Sequence, residues 1–160
     1  MSTNKRVAIL GSTGSIGTQA LDVIQQHSDK FQVEVLTAQN NKDLLIKQAI
    51  AFQPNVVVIG NDNYYQEVKD ALSKHPIKVY AGAKAIASVV EMETVDIVLT
   101  ALVGYAGLIP TIKAIEAGKP IALANKETLV VAGDLITKLA KENAVNLQPR
   151  ADIMDHWVYR

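Results

Sequence analysis

Short apolar runs alternate along the chain with longer stretches in which apolar residues recur every three or four positions. The first pattern is typical of buried strands, and the second of helices with one face against a core. The predicted strands are Arg6–Leu10, Gln32–Thr37, Asn55–Ile59, Lys78–Tyr80, Asp96–Thr100 and Pro120–Ala124. The predicted helices are Ser15–His27, Asn41–Phe52, Tyr64–His75, Ala83–Val90, Gly107–Ala117 and Lys126–Glu142. Strands that alternate with helices predict an α/β fold, Rossmann-like and doubly wound, with a mostly parallel sheet.

The first predicted strand runs directly into a glycine loop that opens the first predicted helix, Gly11-Ser12-Thr13-Gly14-Ser15-Ile16-Gly17. Glycines let a backbone turn sharply and approach a phosphate, while the free N–H groups and positive dipole end of a helix attract it. The spacing is G-x-x-G-x-x-G, not the commoner G-x-G-x-x-G. A tight turn without a ligand is the alternative, but the flanking hydroxyls favour a loop that binds the diphosphate of a dinucleotide.

The end of the second predicted strand bears on which dinucleotide binds. In many NAD-binding domains an acidic residue about 20 positions after the loop bonds the ribose 2′-hydroxyl. Here Glu34 falls inside the strand, and the tip carries the neutral amides Gln39, Asn40 and Asn41. Neutral amides accommodate a 2′-phosphate without like-charge repulsion, so the sequence favours NADP over NAD, although no arginine stands at the tip.

A second segment, Asn125-Lys126-Glu127, places an amide, an ammonium and a carboxylate where a buried strand meets a helix. Ligands of open parallel sheets bind beyond the carboxyl ends of the strands, so a site would be built at this position. Asparagine is also a good helix cap, and lysine and glutamate are common in first turns, so a structural role is the alternative. The ammonium of Lys126 at a helix N-terminus would oppose the helix dipole, so a functional role is favoured over a structural one.

The overall composition of the chain indicates what kind of molecule it binds. The chain has 160 residues, 49% of them hydrophobic, enough for one domain with a single core. Sixteen basic residues balance sixteen acidic ones without blocks of either sign, so nothing indicates a nucleic-acid surface or a membrane patch. Cysteine is absent, which excludes disulfides and thiolate catalysis. With no apolar run long enough for a signal peptide or membrane span, we expect a soluble, cytoplasmic protein that binds a small molecule.

Four segments of the chain resemble the 1-deoxy-D-xylulose 5-phosphate reductoisomerase family of the methylerythritol phosphate route to isoprenoids. They are residues 10–17, 37–41, 104–108 and 122–129, of which the last is the most specific. The resemblance extends from about Arg6 to Leu147. It implies an NADPH-dependent oxidoreductase, homodimeric at full length, that converts 1-deoxy-D-xylulose 5-phosphate to 2-C-methyl-D-erythritol 4-phosphate with Mg²⁺ or Mn²⁺.

The resemblance also implies roles for individual residues. The NADPH diphosphate and ribose would be bound within the loop from Gly11 to Gly17 by Thr13, Gly14, Ser15 and Ile16. Asn41 would lie near the adenosine 2′-phosphate, and Asn125 and Glu127 would reach the nicotinamide half. Lys126 would bind the sugar phosphate substrate and act in catalysis, since an ammonium with three donors can neutralise developing oxyanion charge.

The last residues depart from the family pattern. After Leu147 the family continues into a run of aspartate, serine and glutamate that binds a divalent cation. Without gaps, the two ligand positions fall here on Ala151 and Ile153, which cannot bind a metal. The nearby polar side chains are interpreted as a solvated tail and not as a replacement site, namely Asp152, Asp155 and His156. We therefore expect an NADPH-binding domain over residues 1–147, a divergent tail over 148–160, no metal site, and no complete reaction by this chain alone.

Two other functions stay open. A non-catalytic module would bind NADPH without turning over a substrate. Another Rossmann dehydrogenase, such as a homoserine or semialdehyde dehydrogenase, would need the glycine loop but not residues 125–127. Replacing Lys126 by alanine separates these hypotheses, because only a reductoisomerase would lose sugar phosphate turnover while keeping its affinity for the cofactor.

Overall fold

The computed structural model describes the backbone of residues 4–102, 104–123, 126–145 and 147–148. The strands are β1 (Lys5–Leu10), β2 (Phe31–Ala38), β3 (Val56–Ile59), β4 (Lys78–Ala81), β5 (Ile97–Thr100), β6 (Ile121–Leu123) and β7 (Leu147–Gln148). The helices are α1 (Ser15–Gln26), α2 (Lys42–Phe52), α3 (Tyr65–Ala71), α4 (Ala83–Val89), α5 (Leu108–Glu116) and α6 (Lys126–Glu142). Short 3₁₀ turns, Asp62–Tyr64 and Gly104–Gly107, precede α3 and α5.

The described strands form one parallel sheet in the order β4-β3-β2-β1-β5-β6-β7. The chain moves outward from β1 to β4 on one side and from β5 to β7 on the other. The strand order therefore reverses between β1 and β5. In open sheets a ligand crevice lies at such a reversal, beyond the carboxyl ends of the strands.

Helices cover both faces of the sheet and create two apolar cores. The first core lies under α1, α2 and α3, where Ile9, Leu36 and Ile59 are completely buried. The second lies under α4, α5 and α6, where Leu10 and Val58 are completely buried. Because the strands are covered on both faces, neighbouring residues are apolar regardless of which face they point to. The predicted doubly wound, Rossmann-like fold is confirmed.

Glu34 interrupts this apolar pattern at a bulge in β2. Val7 pairs with Val33 and Ala8 pairs with Val35, so Glu34 is an extra residue without a partner in β1. The side chain is only 1% exposed. Its two carboxylate oxygens accept hydrogen bonds from the Asn55 side-chain amide at 2.9 and 3.0 Å. Glu34 is thus held inside the fold and does not reach the tip of β2, as the sequence indicated.

Among the helices and strands, two differences from the sequence prediction exceed one residue at an end. Helix α3 ends at Ala71, whereas the prediction extended it to residue 75. Pro76 disfavours helical backbone at the residue before it, and the Ser73 hydroxyl donates to the Asp70 carbonyl oxygen at 2.8 Å in the turn that replaces the last helical residues. Strand β7 was not predicted, and it crosses the expected domain boundary between residues 147 and 148. None of the described helices is long and apolar enough to span a bilayer.

Candidate functional site

The glycine loop between β1 and α1 is anchored to the end of β2. Gly11 has a φ of 82°, in the left-handed region, and a Cβ there would lie 3.0 Å from the carbonyl oxygen of Ala101. Its N–H lies 3.1 Å from both the carbonyl oxygen and the hydroxyl oxygen of Thr37. The Ser12 N–H donates to the same carbonyl oxygen at 2.8 Å. The sharp turn therefore requires glycine at position 11, and it joins the loop to the tip of β2.

The first turn of α1 presents backbone donors that nothing in the described chain occupies. Gly14 is the N-cap, no side chain caps the helix, and no acidic residue lies in its first turn. The N–H groups of Thr13, Ser15, Ile16 and Gly17 have no acceptor among the described residues. Such donors, with the positive end of the helix dipole, fit the diphosphate of a dinucleotide. This favours a phosphate-binding loop over a simple turn.

Gly17 brings α1 into direct contact with the loop. A Cβ at this position would overlap the Gly11 carbonyl oxygen and would lie 2.6 and 2.7 Å from the Cα and carbonyl carbon of Ser12. In contrast, a Cβ at Gly14 would meet only the Gly11 carbonyl oxygen, at 3.8 Å. The two glycines therefore differ in role, because Gly17 permits close packing whereas Gly14 leaves open space where a ligand would approach.

The tip of β2 carries exposed amides at the same edge of the sheet. Asn41 is the N-cap of α2, and its Oδ1 accepts a hydrogen bond from the Leu44 N–H at 3.3 Å. The Asn40 Oδ1 accepts one from the side-chain amide of Asn61 at 2.9 Å. The loop after β2 and the loop after β1 are neighbours because Thr37 bonds both Gly11 and Ser12. The structure therefore places the predicted diphosphate and adenosine positions next to each other.

Lys42 is a cation at this tip that the sequence analysis did not single out. Its Nζ lies 2.6 Å from a Glu67 carboxylate oxygen, 3.1 Å from one of Asp43 and 5.5 Å from the centre of the Tyr64 ring. Hydrogen bonds to Glu67 and then to Asp43 raise the pKa of Lys42 above its ordinary value of 10.5. The side chain is therefore charged at neutral pH. In the sequence, the feature that could have identified Lys42 is its position directly after Asn41.

The second predicted segment begins α6. Lys126 and Glu127 open this helix directly after β6, whose carboxyl end lies at the same sheet edge as those of β1 and β2. Asn125 and the side chains of Lys126 and Glu127 lie outside the described residues. The structure thus brings the backbone of this segment to the edge where the glycine loop lies, and the roles of its side chains stay predictions.

The described residues do not fit a divalent cation. Among them, no three histidine, aspartate or glutamate side chains come together in a group that could hold a metal ion. Asp152, Asp155 and His156 lie outside the described part of the chain. The chemistry that the described loops favour is therefore binding of a phosphorylated cofactor.

The amino-acid sequence of this chain matches one protein family. The family model for 1-deoxy-D-xylulose 5-phosphate reductoisomerase matches residues 7–133. A curated relative with that name from Porphyromonas gingivalis is 60% identical over 145 residues. The match includes 91% of this chain but only 38% of the relative, so the chain spans well under half the length of the relatives it matches.

Solved structures agree with the sequence comparison. The reductoisomerase from Zymomonas mobilis in complex with NADPH gives a TM-score of 0.87 at 39% identity, over 92% of this chain and 39% of that one. A reductoisomerase solved with NADPH, fosmidomycin and magnesium gives 0.85 at 36% identity, over 89% and 35%. A homoserine dehydrogenase from Thiobacillus denitrificans gives 0.60 at 18% identity, over 91% and 29%, which shows a common fold alone. The chain belongs to the 1-deoxy-D-xylulose 5-phosphate reductoisomerase family.

Proposed function

We propose that residues 1–148, extended by one residue beyond the expected boundary to include β7, are the NADPH-binding domain of an enzyme that rearranges and reduces 1-deoxy-D-xylulose 5-phosphate to 2-C-methyl-D-erythritol 4-phosphate. The observation that carries the proposal is the uncapped N-terminus of α1, where four N–H groups face no acceptor in the described chain. This terminus lies where the strand order reverses, which is the ligand position of open parallel sheets. Membership in the family supplies the choice of cofactor and reaction.

The described residues divide the binding of NADPH between two loops. The N–H groups of residues 13 and 15–17 hold the diphosphate, and the exposed surface at Gly14 lets it approach the backbone. The amides that follow β2, chiefly Asn41, lie beside the adenosine 2′-phosphate. Lys42 neutralises part of the negative charge of Glu67 and Asp43 at this tip, which reduces the repulsion that a 2′-phosphate would meet. Bound NADPH supplies the hydride, while the chain positions it.

The start of α6 serves the reacting end of the cofactor in this proposal. Asn125 and Glu127 hold the nicotinamide half, and Lys126 binds the sugar phosphate, as the family resemblance implies. A lysine suits that task because its compact ammonium stabilises developing oxyanion charge next to the hydride acceptor. We also propose a cytoplasmic, homodimeric whole protein, in which the divergent tail begins after β7 and not at residue 148. The absence of cysteine is consistent with a reducing compartment.

A chimera tests the reaction. Residues 7–133 of this chain replace the matching part of the Porphyromonas gingivalis relative, and the oxidation of NADPH is followed with 1-deoxy-D-xylulose 5-phosphate and Mg²⁺. We expect turnover of this sugar phosphate and none of aspartate 4-semialdehyde, the aldehyde that a homoserine dehydrogenase reduces to homoserine. In the same chimera, Lys126→Ala should abolish turnover and leave the Kd for NADPH unchanged. A folded chimera that binds NADPH without turnover would contradict the proposed reaction, and unchanged turnover in the Lys126 variant would contradict its role.

A further inference from the structure

A buried glutamine from α2 is bonded twice to a single residue of the glycine loop. The Ser12 hydroxyl donates to the Gln48 Oε1 at 2.7 Å, and the Gln48 Nε2 donates to the Ser12 carbonyl oxygen at 2.9 Å. Ser12 is completely buried, and Gln48 is only 7% exposed. Buried polar groups are costly unless they are satisfied, so this reciprocal pair is a specific and well-defined contact. It connects residues that are 36 positions apart in the chain.

The glutamine determines which way one peptide group of the loop faces. The carbonyl of Ser12 and the N–H of Thr13 belong to the same planar, trans peptide, so they point in opposite directions. Because Gln48 holds the carbonyl on the side of α2, the Thr13 N–H points away from α2. This N–H is one of the four that have no acceptor in the described chain. The Ser12 N–H is in turn fixed by Thr37, so the residue is held on both sides.

We propose that Gln48 is a positioning residue for the cofactor, which holds the Ser12–Thr13 peptide so that the Thr13 N–H meets the diphosphate. The inference rests on the proposed NADPH site. Without the amide of Gln48 the peptide is free to rotate, and a hydrogen bond to a charged phosphate is weakened or lost. Hydrogen bonds to charged groups are among the stronger ones in proteins, so we expect a loss of affinity of roughly tenfold or more.

The test compares two variants of the 160-residue chain with three ligands by calorimetry. Gln48→Met keeps the length of the side chain and removes both amide bonds. We expect its Kd to rise by the same factor for NADPH and NADH, since both contain the diphosphate. Its Kd for adenosine 2′-monophosphate, which lacks the diphosphate, should stay at the wild-type value. Gln66→Met is the matched control, because it makes the same substitution at an exposed glutamine of α3 whose Nε2 donates to Asp70 Oδ1 at 2.8 Å, so its affinity for NADPH should remain close to wild type.

The outcomes separate this inference from the proposed function. If the wild-type chain is folded and binds no NADPH, the proposed function fails and the inference fails with it. If the wild type binds and Gln48→Met binds equally well, only the inference is overturned. Equal losses for NADPH and adenosine 2′-monophosphate would show that Gln48 merely stabilises the fold. If Gln48→Met does not fold, Gln48→Glu serves instead, because it retains an acceptor for the Ser12 hydroxyl but has no donor for the carbonyl.

Discussion

Gly17 packs so closely against the glycine loop that replacing it by alanine should destabilise the protein. The added Cβ would lie 2.6 and 2.7 Å from two backbone carbons of Ser12, against an ordinary carbon–carbon contact of about 3.5–4.0 Å. The loop and helix must separate by roughly 1 Å, and overpacking of this kind costs about 3 kcal/mol, since backbone atoms cannot rotate away. Because alanine has a higher helix propensity than glycine, the substitution also adds up to about 1 kcal/mol to the free energy of unfolding. The net loss is about 2 kcal/mol.

Thermal unfolding followed by circular dichroism measures this loss. A net cost of about 2 kcal/mol should lower Tm by roughly 4–8 °C for a domain of this size. Gly14→Ala is the matched control, because its Cβ has room and its backbone, at φ −81° and ψ 177°, suits alanine. Its weaker N-capping and its smaller unfolded-state entropy should nearly cancel, within about 0.5 kcal/mol. The reasoning is refuted if the two variants unfold at the same temperature.

Two further predictions concern the loop and the second core. Gly14→Asp should bind NADPH roughly a hundredfold more weakly, because its carboxylate faces the diphosphate. The Tm of this variant should stay at the wild-type value, because aspartate is a good N-cap. Unchanged affinity by calorimetry would exclude the proposed phosphate site. Thr100→Val should stabilise the chain by about 1 kcal/mol, because the buried Thr100 hydroxyl has no hydrogen-bond partner among the described residues. Thr111→Val should destabilise the chain by about 1 kcal/mol, because the equally buried Thr111 hydroxyl donates to the Gly107 carbonyl oxygen at 2.6 Å. If Thr100→Val and Thr111→Val shift Tm in the same direction, these two predictions are contradicted.

The fold was predictable because its strands are covered on both faces. Continuous apolar runs revealed β1, β3 and β5, and the structure changes their ends by one residue at most. The bulge at Glu34 was not predictable, since it depends on the register between β1 and β2 and not on a local pattern. Strand β7 has two residues, too few to show any periodicity. Its place in the sheet follows from pairing with β6.

The candidate site was predictable only where its residues are consecutive. The glycine loop and the segment at residues 125–127 are each continuous in sequence, so a role could be predicted for each from the sequence alone. The bonds from Thr37 to the loop and from Gln48 to Ser12 join residues that are 25 to 36 positions apart, and no pattern along the chain indicates them. Lys42 was overlooked for the same reason, because its partner Glu67 comes from the next helix along the chain.

Calorimetric titration of the 160-residue chain with NADPH and, separately, with NADH tests the central claim most directly. The claim is that the open N–H groups of the glycine loop bind the diphosphate and that the tip of β2 accommodates the 2′-phosphate. We predict saturable binding of one NADPH per chain, with NADPH bound more tightly than NADH. A chain that is folded by circular dichroism and binds neither nucleotide would contradict the account, and a preference for NADH would contradict its description of the β2 tip.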